Sequence, residues 1–369
     1  MADADVVKSR AARVGRVRER MEHLETDVLL LSVGPDLPYL TGYEAMPLER
    51  LTMLALPQSG DAQLVVPRLE APRVEPMPEL FEIVPWDETD DPIALVARLV
   101  GGARRVAIGD HTWARFVLDL QLVLPSAEFV RASQVVGPIR MVKDADEIAA
   151  LRAAGHAVDE IAVAMRDVAF AGRTELDVHR ELVERMLAAG HERANFAIVA
   201  AGEHAASPHH EPSGTRVIGD GELVLCDFGG TMRGYCSDIT RMFSVGEPSR
   251  EIADAYAVLA AAQEAGVRAA QVGVPCEAVD AAARRVITDA GFGEQFIHRV
   301  GHGIGTEAHE DPYMVAGNAA PLAPGHAFSV EPGIYFAGRF GMRLEDIVVA
   351  TVDGPVRLNE APRDIAVVA

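Results

Sequence analysis

Four carboxylates and one imidazole stand out along the second half of the chain: Asp227, Asp238, His302, Glu331 and Glu345. Each lies in a glycine-flanked or alternating apolar setting, where an acidic side chain is rare unless it is paired or bound to metal. The set is rich in oxygen with one nitrogen, which suits two divalent cations. Four carboxylates gathered on one floor would repel one another unless protonated, whereas two dications match their charge and leave a water to be activated. That combination points to hydrolysis.

Each of the five also has a plainer reading. Asp227 and Asp238 flank a segment containing Gly229, Gly230 and Gly234, a natural bend that would bring carboxylates on adjacent antiparallel strands to one ion; the alternative is a salt bridge to Arg233 or Arg241. His302 sits among Gly301, Gly303 and Gly305, where backbone freedom would let an imidazole approach a metal, or where a histidine could simply face solvent. Glu331 and Glu345, taken singly, could be edge-strand charges.

The elements that must position these residues fall into two series. In the first, an amphipathic helix over 5–24 precedes strand-like runs at 27–33, 51–56, 64–66, 81–84, 105–108 and 128–130, with helices at 92–100 and 112–122. Gln58-Ser59-Gly60-Asp61 reads as a hairpin turn, and the mixed α/β pattern closes near 134–138. In the second, Asp144 with Glu147 forms a capping-box variant, and a helix starts at Thr174 and stops at Gly190. Strands at 196–200, 223–228 and 235–245, helices at 250–271 and 276–290, and strands at 327–330 and 342–351 complete a repeated order of helix pair and strands.

The chain has 369 residues, so two domains are expected. Lys plus Arg is 34 against 55 Asp plus Glu, a formal charge of −21, which disfavours nucleic acid and anionic membrane as partners. The first 20 residues alternate in charge, so neither a signal peptide nor a membrane span is expected there, and cytoplasmic residence is the simplest expectation. Cys226, Cys236 and Cys276 lack close paired spacing, which argues against a disulfide framework or a thiolate zinc site.

Five stretches carry a family resemblance: Leu225-Cys226-Asp227-Phe228-Gly229, Gly234-Tyr235-Cys236-Ser237-Asp238-Ile239-Thr240-Arg241, Gly301-His302-Gly303-Ile304-Gly305, Ser329-Val330-Glu331-Pro332-Gly333 and Arg343-Leu344-Glu345-Asp346. In this order they resemble the metal motifs of the Xaa-Pro peptidases, prolidase and aminopeptidase P, from about Val142 to the C-terminus, with a looser echo in 35–42. The resemblance implies an α+β protein: a small mixed α/β N-terminal domain of the creatinase/prolidase type over 1–138, and a pseudo-symmetric pita-bread catalytic domain over 139–369. It implies Asp227 on one metal, His302 and Glu331 on the other, and Asp238 and Glu345 bridging both, with a metal-bridged hydroxide attacking the Xaa-Pro bond and Glu331 relaying its proton.

By the same resemblance His209, His298 and His309 line the substrate cleft, His309 serving the scissile carbonyl and His209 the tetrahedral intermediate, while His210 is simply solvated. Arg343 would orient a metal-bound carboxylate or else pair with Asp346 or Glu345, and Tyr235 and Thr240 would hydrogen-bond Asp238. The expected cofactors are two divalent ions, manganese first, with cobalt, zinc or iron also accepted. The expected activity is Xaa-Pro dipeptidase; aminopeptidase P on longer peptides, a metal-dependent hydrolase of a non-peptide amide, and a non-catalytic binding protein remain as alternatives. A homodimer with the first domain near the partner's active site is also implied.

Overall fold

A computed structural model describes residues 4–369; residues 1–3 of the N-terminal stretch lie outside it. The chain divides into two compact units, Met1–Arg140 and Met141–Ala369. No helix among the described residues is long and apolar enough to cross a membrane.

The first unit is organised around one apolar strand. β1 (Val28–Leu31) is buried along its whole length, and strand alternation sends Leu29 and Leu31 to one face and Val28 and Leu30 to the other. Five more strands extend the sheet: β2 (Met53–Pro57), β3 (Gln63–Pro67), β4 (Glu82–Trp86), β5 (Arg105–Ile108) and β6 (Glu128–Arg131), in the order β4-β3-β2-β1-β5-β6. The expected β2–β3 hairpin forms, with antiparallel pairing of Met53 to Val65. On one face α1 (Ala4–His23) contributes Val17 and Met21, and α2 (Asp36–Thr41) contributes Leu37 and Leu40. On the other, α3 (Pro92–Leu99) and α4 (Ala114–Val123) contribute Val96, Phe116 and Leu120. Residues 133–141, where the sequence pattern suggested a boundary, form a further helix, α5 (Ser133–Met141).

The second unit repeats helix pair and sheet. α6 (Ala145–Ala164) opens on the capping box, Asp144 Oδ1 accepting from the Glu147 N–H at 2.9 Å and Glu147 Oε2 from the Asp144 N–H at 3.0 Å. α7 (Glu175–Ala188) follows, capped by Thr174. Then come β7 (Arg193–Ala201), β8 (Leu223–Met232), β9 (Tyr235–Cys236) and β10 (Ile239–Val245), antiparallel neighbours that place Asp227 opposite Thr240. α8 (Arg250–Ala269) and α9 (Cys276–Asp289) form the second helix pair. The second sheet comprises β11 (Gly301–Gly303), β12 (Glu310–Met314), β13 (Ala327–Val330), β16 (Asp346–Thr351) and β17 (Gly354–Arg357), with β14 (Gly333–Phe336) and β15 (Phe340–Arg343) as a hairpin between. β18 (Ala366–Val368) pairs with β10. Phe328 and Val330 from the sheet meet Leu259, Ala262, Val279 and Ala283 of the helix pair in one continuous core.

Two expected strands are interrupted. The run 235–245 breaks between Cys236 and Ile239, because the Ser237 N–H turns back to the Gly230 carbonyl at 2.8 Å. The run 342–351 breaks at Leu344–Glu345, where both backbone amides leave the ladder, the Glu345 N–H pointing to the Thr240 carbonyl at 3.4 Å. Asp238 and Glu345 lie at these breaks, free of the alternation that a continuous strand would impose.

Glu264 on α8 clasps the C-terminal strands, accepting from Arg357 Nη2 at 2.6 Å, Arg268 Nε at 2.8 Å and Arg363 Nη1 at 3.2 Å. Burial would raise this carboxyl, but Arg357 and Arg363 outweigh it and hold it down at about 2. A carboxyl lowered in the folded state adds stability that is complete above its unfolded value and lost as pH falls through the folded one. Glu264→Gln is therefore expected to cost on the order of 1 kcal/mol near neutrality, with the gap from wild type narrowing below about pH 4.5. Urea midpoints that differ equally on both sides of that pH would contradict it.

Candidate active site

The five ligand candidates converge. β8 supplies Asp227, the break before β10 supplies Asp238, β11 supplies His302, the residue after β13 is Glu331, and the break before β16 supplies Glu345. Asp227, Asp238, His302 and Glu345 are buried, and Glu331 is partly exposed. His302 Nε2 lies 3.2 Å from Glu331 Oε1 and 3.8 Å from Asp238 Oδ2, and Asp238, His302 and Glu345 present ligand atoms within 4.8 Å of one another. His302 Nδ1 meets the Gly303 carbonyl at 3.0 Å, which turns Nε2 toward the carboxylates. The Ser329 hydroxyl anchors this corner, accepting from the His302 N–H at 3.0 Å and donating to Glu331 Oε1 at 3.0 Å.

The glycines serve a different purpose from the one expected. None of Gly301, Gly303 and Gly305 has a positive φ. A side chain at Gly301 would collide with the Ser329 carbonyl, and one at Gly303 with the Glu310 and Asp311 carbonyls. Close strand approach, rather than backbone freedom, requires them.

Among the described residues, Arg343 is the arginine inserted among the carboxylates. Its Nη2 makes a short ion pair with Asp227 Oδ2, its Nε donates to Thr240 Oγ1 at 3.2 Å, its Nη1 donates to the Tyr335 hydroxyl at 2.8 Å, and its Nε stands 3.9 Å from Glu331. Neither Asp346 nor Glu345 is its partner. Asp346 pairs with Arg241 at 2.7 Å and Arg357 at 3.1 Å, so Arg241 is also unavailable to Asp227. Two hydrogen-bond expectations for Asp238 fail as well: Thr240 donates to Glu345 Oε2 at 2.7 Å, and the Tyr235 hydroxyl donates to Glu147 Oε1 at 2.9 Å.

The charge balance is far from neutral. Burial, then Glu345 and Asp227, push the Asp238 carboxyl well above its ordinary range; burial, then Glu331 and Asp227, do the same to Glu345. Burial also raises Asp227, with Arg343 opposing it. Glu331 goes the other way, down to about 2, because the His302 hydrogen bond and charge outweigh its burial. Asp227 Oδ1, Asp238 Oδ1 and Glu345 Oε1 are buried with no hydrogen-bond partner among the described residues. Orphaned anionic oxygens facing one another are the donor set that hard dications complete, so these residues fit a two-metal group.

Above this floor opens a cleft of about 1050 Å³ lined by His209, His210, His298, Arg299 and His309 and by the apolar Phe196, Ile198, Pro212, Ile297 and Val315. His309 lies against His302, ring centroids 3.8 Å apart, and burial together with that neighbour lowers it to about 4, leaving a neutral imidazole near pH 7. His298 faces the cleft, but its ring nitrogens are engaged, Nδ1 with the Arg299 carbonyl at 2.7 Å and Nε2 with the Tyr335 hydroxyl at 3.0 Å. His210 is not merely solvated: its Nε2 reaches Glu175 at 2.8 Å. Tyr335, linking Arg343 to His298, was missed in the sequence; it lies on β14, whose hairpin partner β15 ends at Arg343.

Comparison with known proteins agrees with this geometry. The model of metallopeptidase family M24 matches residues 149–352, and that of the creatinase/prolidase N-terminal domain matches 13–142. The probable dipeptidase PepE of Mycobacterium tuberculosis is 45% identical over 348 residues, 92% of either chain. The chain belongs to metallopeptidase family M24. Within the solved structures, the M24 fold is matched by dipeptidase PepE from Mycobacterium ulcerans (42% identity, TM-score 0.90, 98% of both chains) and by a prolidase from Thermococcus sibiricus (34% identity, TM-score 0.89, 96% of this chain and 97% of that one). The protein is thus a pita-bread metallopeptidase of the prolidase and aminopeptidase P family, whose enzymes use a dinuclear metal centre.

Without metal, the M24 carboxylate cluster is a stability liability. Asp238→Asn is expected to melt at a higher temperature than wild type in chelator-treated buffer, yet to lose most of the stabilisation that a divalent cation gives, which for wild type would be about 2.7 kcal/mol at a hundredfold excess over Kd. A metal-free variant that melts below wild type would contradict the charge argument.

Proposed function

We propose that the protein is a dinuclear Xaa-Pro dipeptidase, with Asp227, Asp238, His302, Glu331 and Glu345 holding the metals. What carries the reading is the convergence of these five residues beneath a histidine-lined cleft, with three buried carboxylate oxygens left unpartnered. When bound, two divalent cations, manganese for preference, would lower the pKa of a water and polarise the scissile carbonyl. The chain's own groups do the rest. Glu331, kept ionised and partly exposed, takes up the proton of the attacking water and returns it to the leaving nitrogen. His309, neutral at physiological pH, donates to the carbonyl oxygen as charge develops on it, with His209 beside it as a second donor. Arg343 holds Asp227 and, through Tyr335, sets the orientation of His298, which forms cleft wall and has no free ring nitrogen to offer. The apolar wall receives the pyrrolidine ring, which brings no N–H to be satisfied.

A cleft of about 1050 Å³ is roomy for a dipeptide, and this favours aminopeptidase action on longer peptides as the second reading; a metal-dependent hydrolase of a non-peptide amide is the third. The functional division is proposed as 1–138 and 139–369. Cytoplasmic residence is supported by three buried free thiols, and a homodimer by the exposed Trp113, Leu118, Leu122 and Val123 on and beside α4, which a measurement of mass in solution would check.

Three substrates separate the readings. After manganese loading, Ala-Pro is expected to be cleaved, Ala-Pro-Ala to resist and Ala-Ala to turn over far more slowly; cleavage of the tripeptide selects the aminopeptidase, and equal cleavage of Ala-Ala removes the proline specificity. Among variants, Asp238→Ala and Glu345→Ala should abolish activity with loss of bound metal, and Glu331→Gln should lower kcat by about 10²- to 10⁴-fold. Cys276→Ala should stay nearly fully active, since that thiol is buried in the α9 core. A fully active Asp238→Ala enzyme would refute the assignment.

A further inference from the structure

A second cluster of ligand-type side chains reaches the cleft wall through His210 and contains none of the five residues above. Glu175, at the first position of α7, is completely buried, and its partners among the described residues include no lysine or arginine. Its Oε1 accepts from the Ala201 N–H at 2.8 Å and meets His204 Nδ1 at 3.0 Å; its Oε2 accepts from the Ser213 N–H at 3.0 Å and meets His210 Nε2 at 2.8 Å. Burial alone would raise this carboxyl, but the Ala201 N–H, His210, the Ser213 N–H and His204 together keep it below its ordinary value. A carboxylate held below its ordinary value thus has two backbone N–H groups and two imidazoles as its partners.

The two imidazoles stack with centroids 4.3 Å apart at 37°. A single cation could engage both rings and the carboxylate at once. The three residues present ligand atoms within 4.8 Å of one another. Two ligands of a tetrahedral zinc at its usual bond lengths lie roughly 3.3 Å apart, a few tenths of an ångström from the contacts already made. His204 and His210 are partly exposed, at 31% and 17% of their side chains, which leaves a path for an ion and space for a water as fourth ligand.

We propose that Glu175, His204 and His210 form a separate zinc site of the two-histidine, one-carboxylate type. Each imidazole moves its proton to the other ring nitrogen on binding, while the carboxylate keeps its bonds from Ala201 and Ser213 on its remaining lone pairs. The ion clamps the segment 201–213, whose residues 207–212 form one wall of the cleft and include His209.

The test uses the intact protein and Zn²⁺ alone as probe, in wild type and in the Asp238→Asn background that disables the bridging position. His204→Gln keeps a hydrogen-bond donor for Glu175 and removes the ligand nitrogen. Calorimetric titration and metal analysis should show one zinc fewer per chain on adding His204→Gln in either background, or a loss of affinity at that site of about a hundredfold. Anomalous scattering at the zinc edge should place the ion against Glu175. Equal stoichiometry and affinity with and without His204, or no anomalous peak at Glu175 in wild type, overturns the proposal. Failure of Ala-Pro hydrolysis bears on the peptidase reading and leaves this result untouched.

Discussion

The second unit is arranged around an electrostatic constraint: four carboxylates must be held within reach of one another beneath a cleft, and among the described residues one guanidinium, that of Arg343, is placed among them. Arg343 can hold Asp227 and lean toward Glu331, but it does not touch Asp238 or Glu345, and those are the two carboxyls that burial and their neighbours push furthest from ionisation. The remaining charge is left for cations from outside. Such a site cannot be optimised for the metal-free fold and for metal at the same time, because every hydrogen bond that would satisfy an orphaned oxygen would also occupy a coordination position.

Holding these groups still falls to a second layer of polar contacts. Arg241 donates from Nη1 to the Glu345 and Thr240 carbonyls at 2.6 and 3.0 Å, and from Nη2 to Asp346 and the Ala361 carbonyl. Gln263 from α8 completes Asp346 with a 2.9 Å bond. This neutralised, fully buried pair fixes the backbone on either side of Glu345 from behind, so the side chain can project from a strand interruption without becoming mobile. Glu331 is fixed in a comparable way, its N–H bonded to the Val300 carbonyl at 2.8 Å and its carboxylate to Ser329.

Much of this was legible in the chain. Apolar periodicity located β1, β5 and the helices over 250–269 and 276–289 closely, because those elements are buried on defined faces and their patterns follow the fold's own repeat. Which acidic residues would converge was legible because an aspartate or glutamate inside an apolar run is anomalous. Partner choice was not. Whether Thr240 serves Asp238 or Glu345, and whether Arg343 or Arg241 meets Asp227, depends on strand register and on breaks of one or two residues, which local composition does not encode. Tyr335 was overlooked for a related reason: a tyrosine two residues after Pro332-Gly333 reads as core until its hydroxyl is seen joining Arg343 to His298.

The protein handles buried carboxylates in two contrasting ways. At the cleft floor, Asp227, Asp238 and Glu345 each keep an oxygen with no donor, a condition tolerable only if something of opposite charge comes and goes. At Glu175 both oxygens are supplied with donors, two of them backbone amides that cannot leave without unfolding the segment 201–213, so the carboxylate stays ionised and the loop stays attached to α7. The first arrangement favours binding at the expense of metal-free stability, and the second favours a fixed wall. His209 and His210, adjacent in sequence, both line the cleft, and His210 also ties that wall to a buried anion, so the placement of His209 above the carboxylates depends on a contact made outside them.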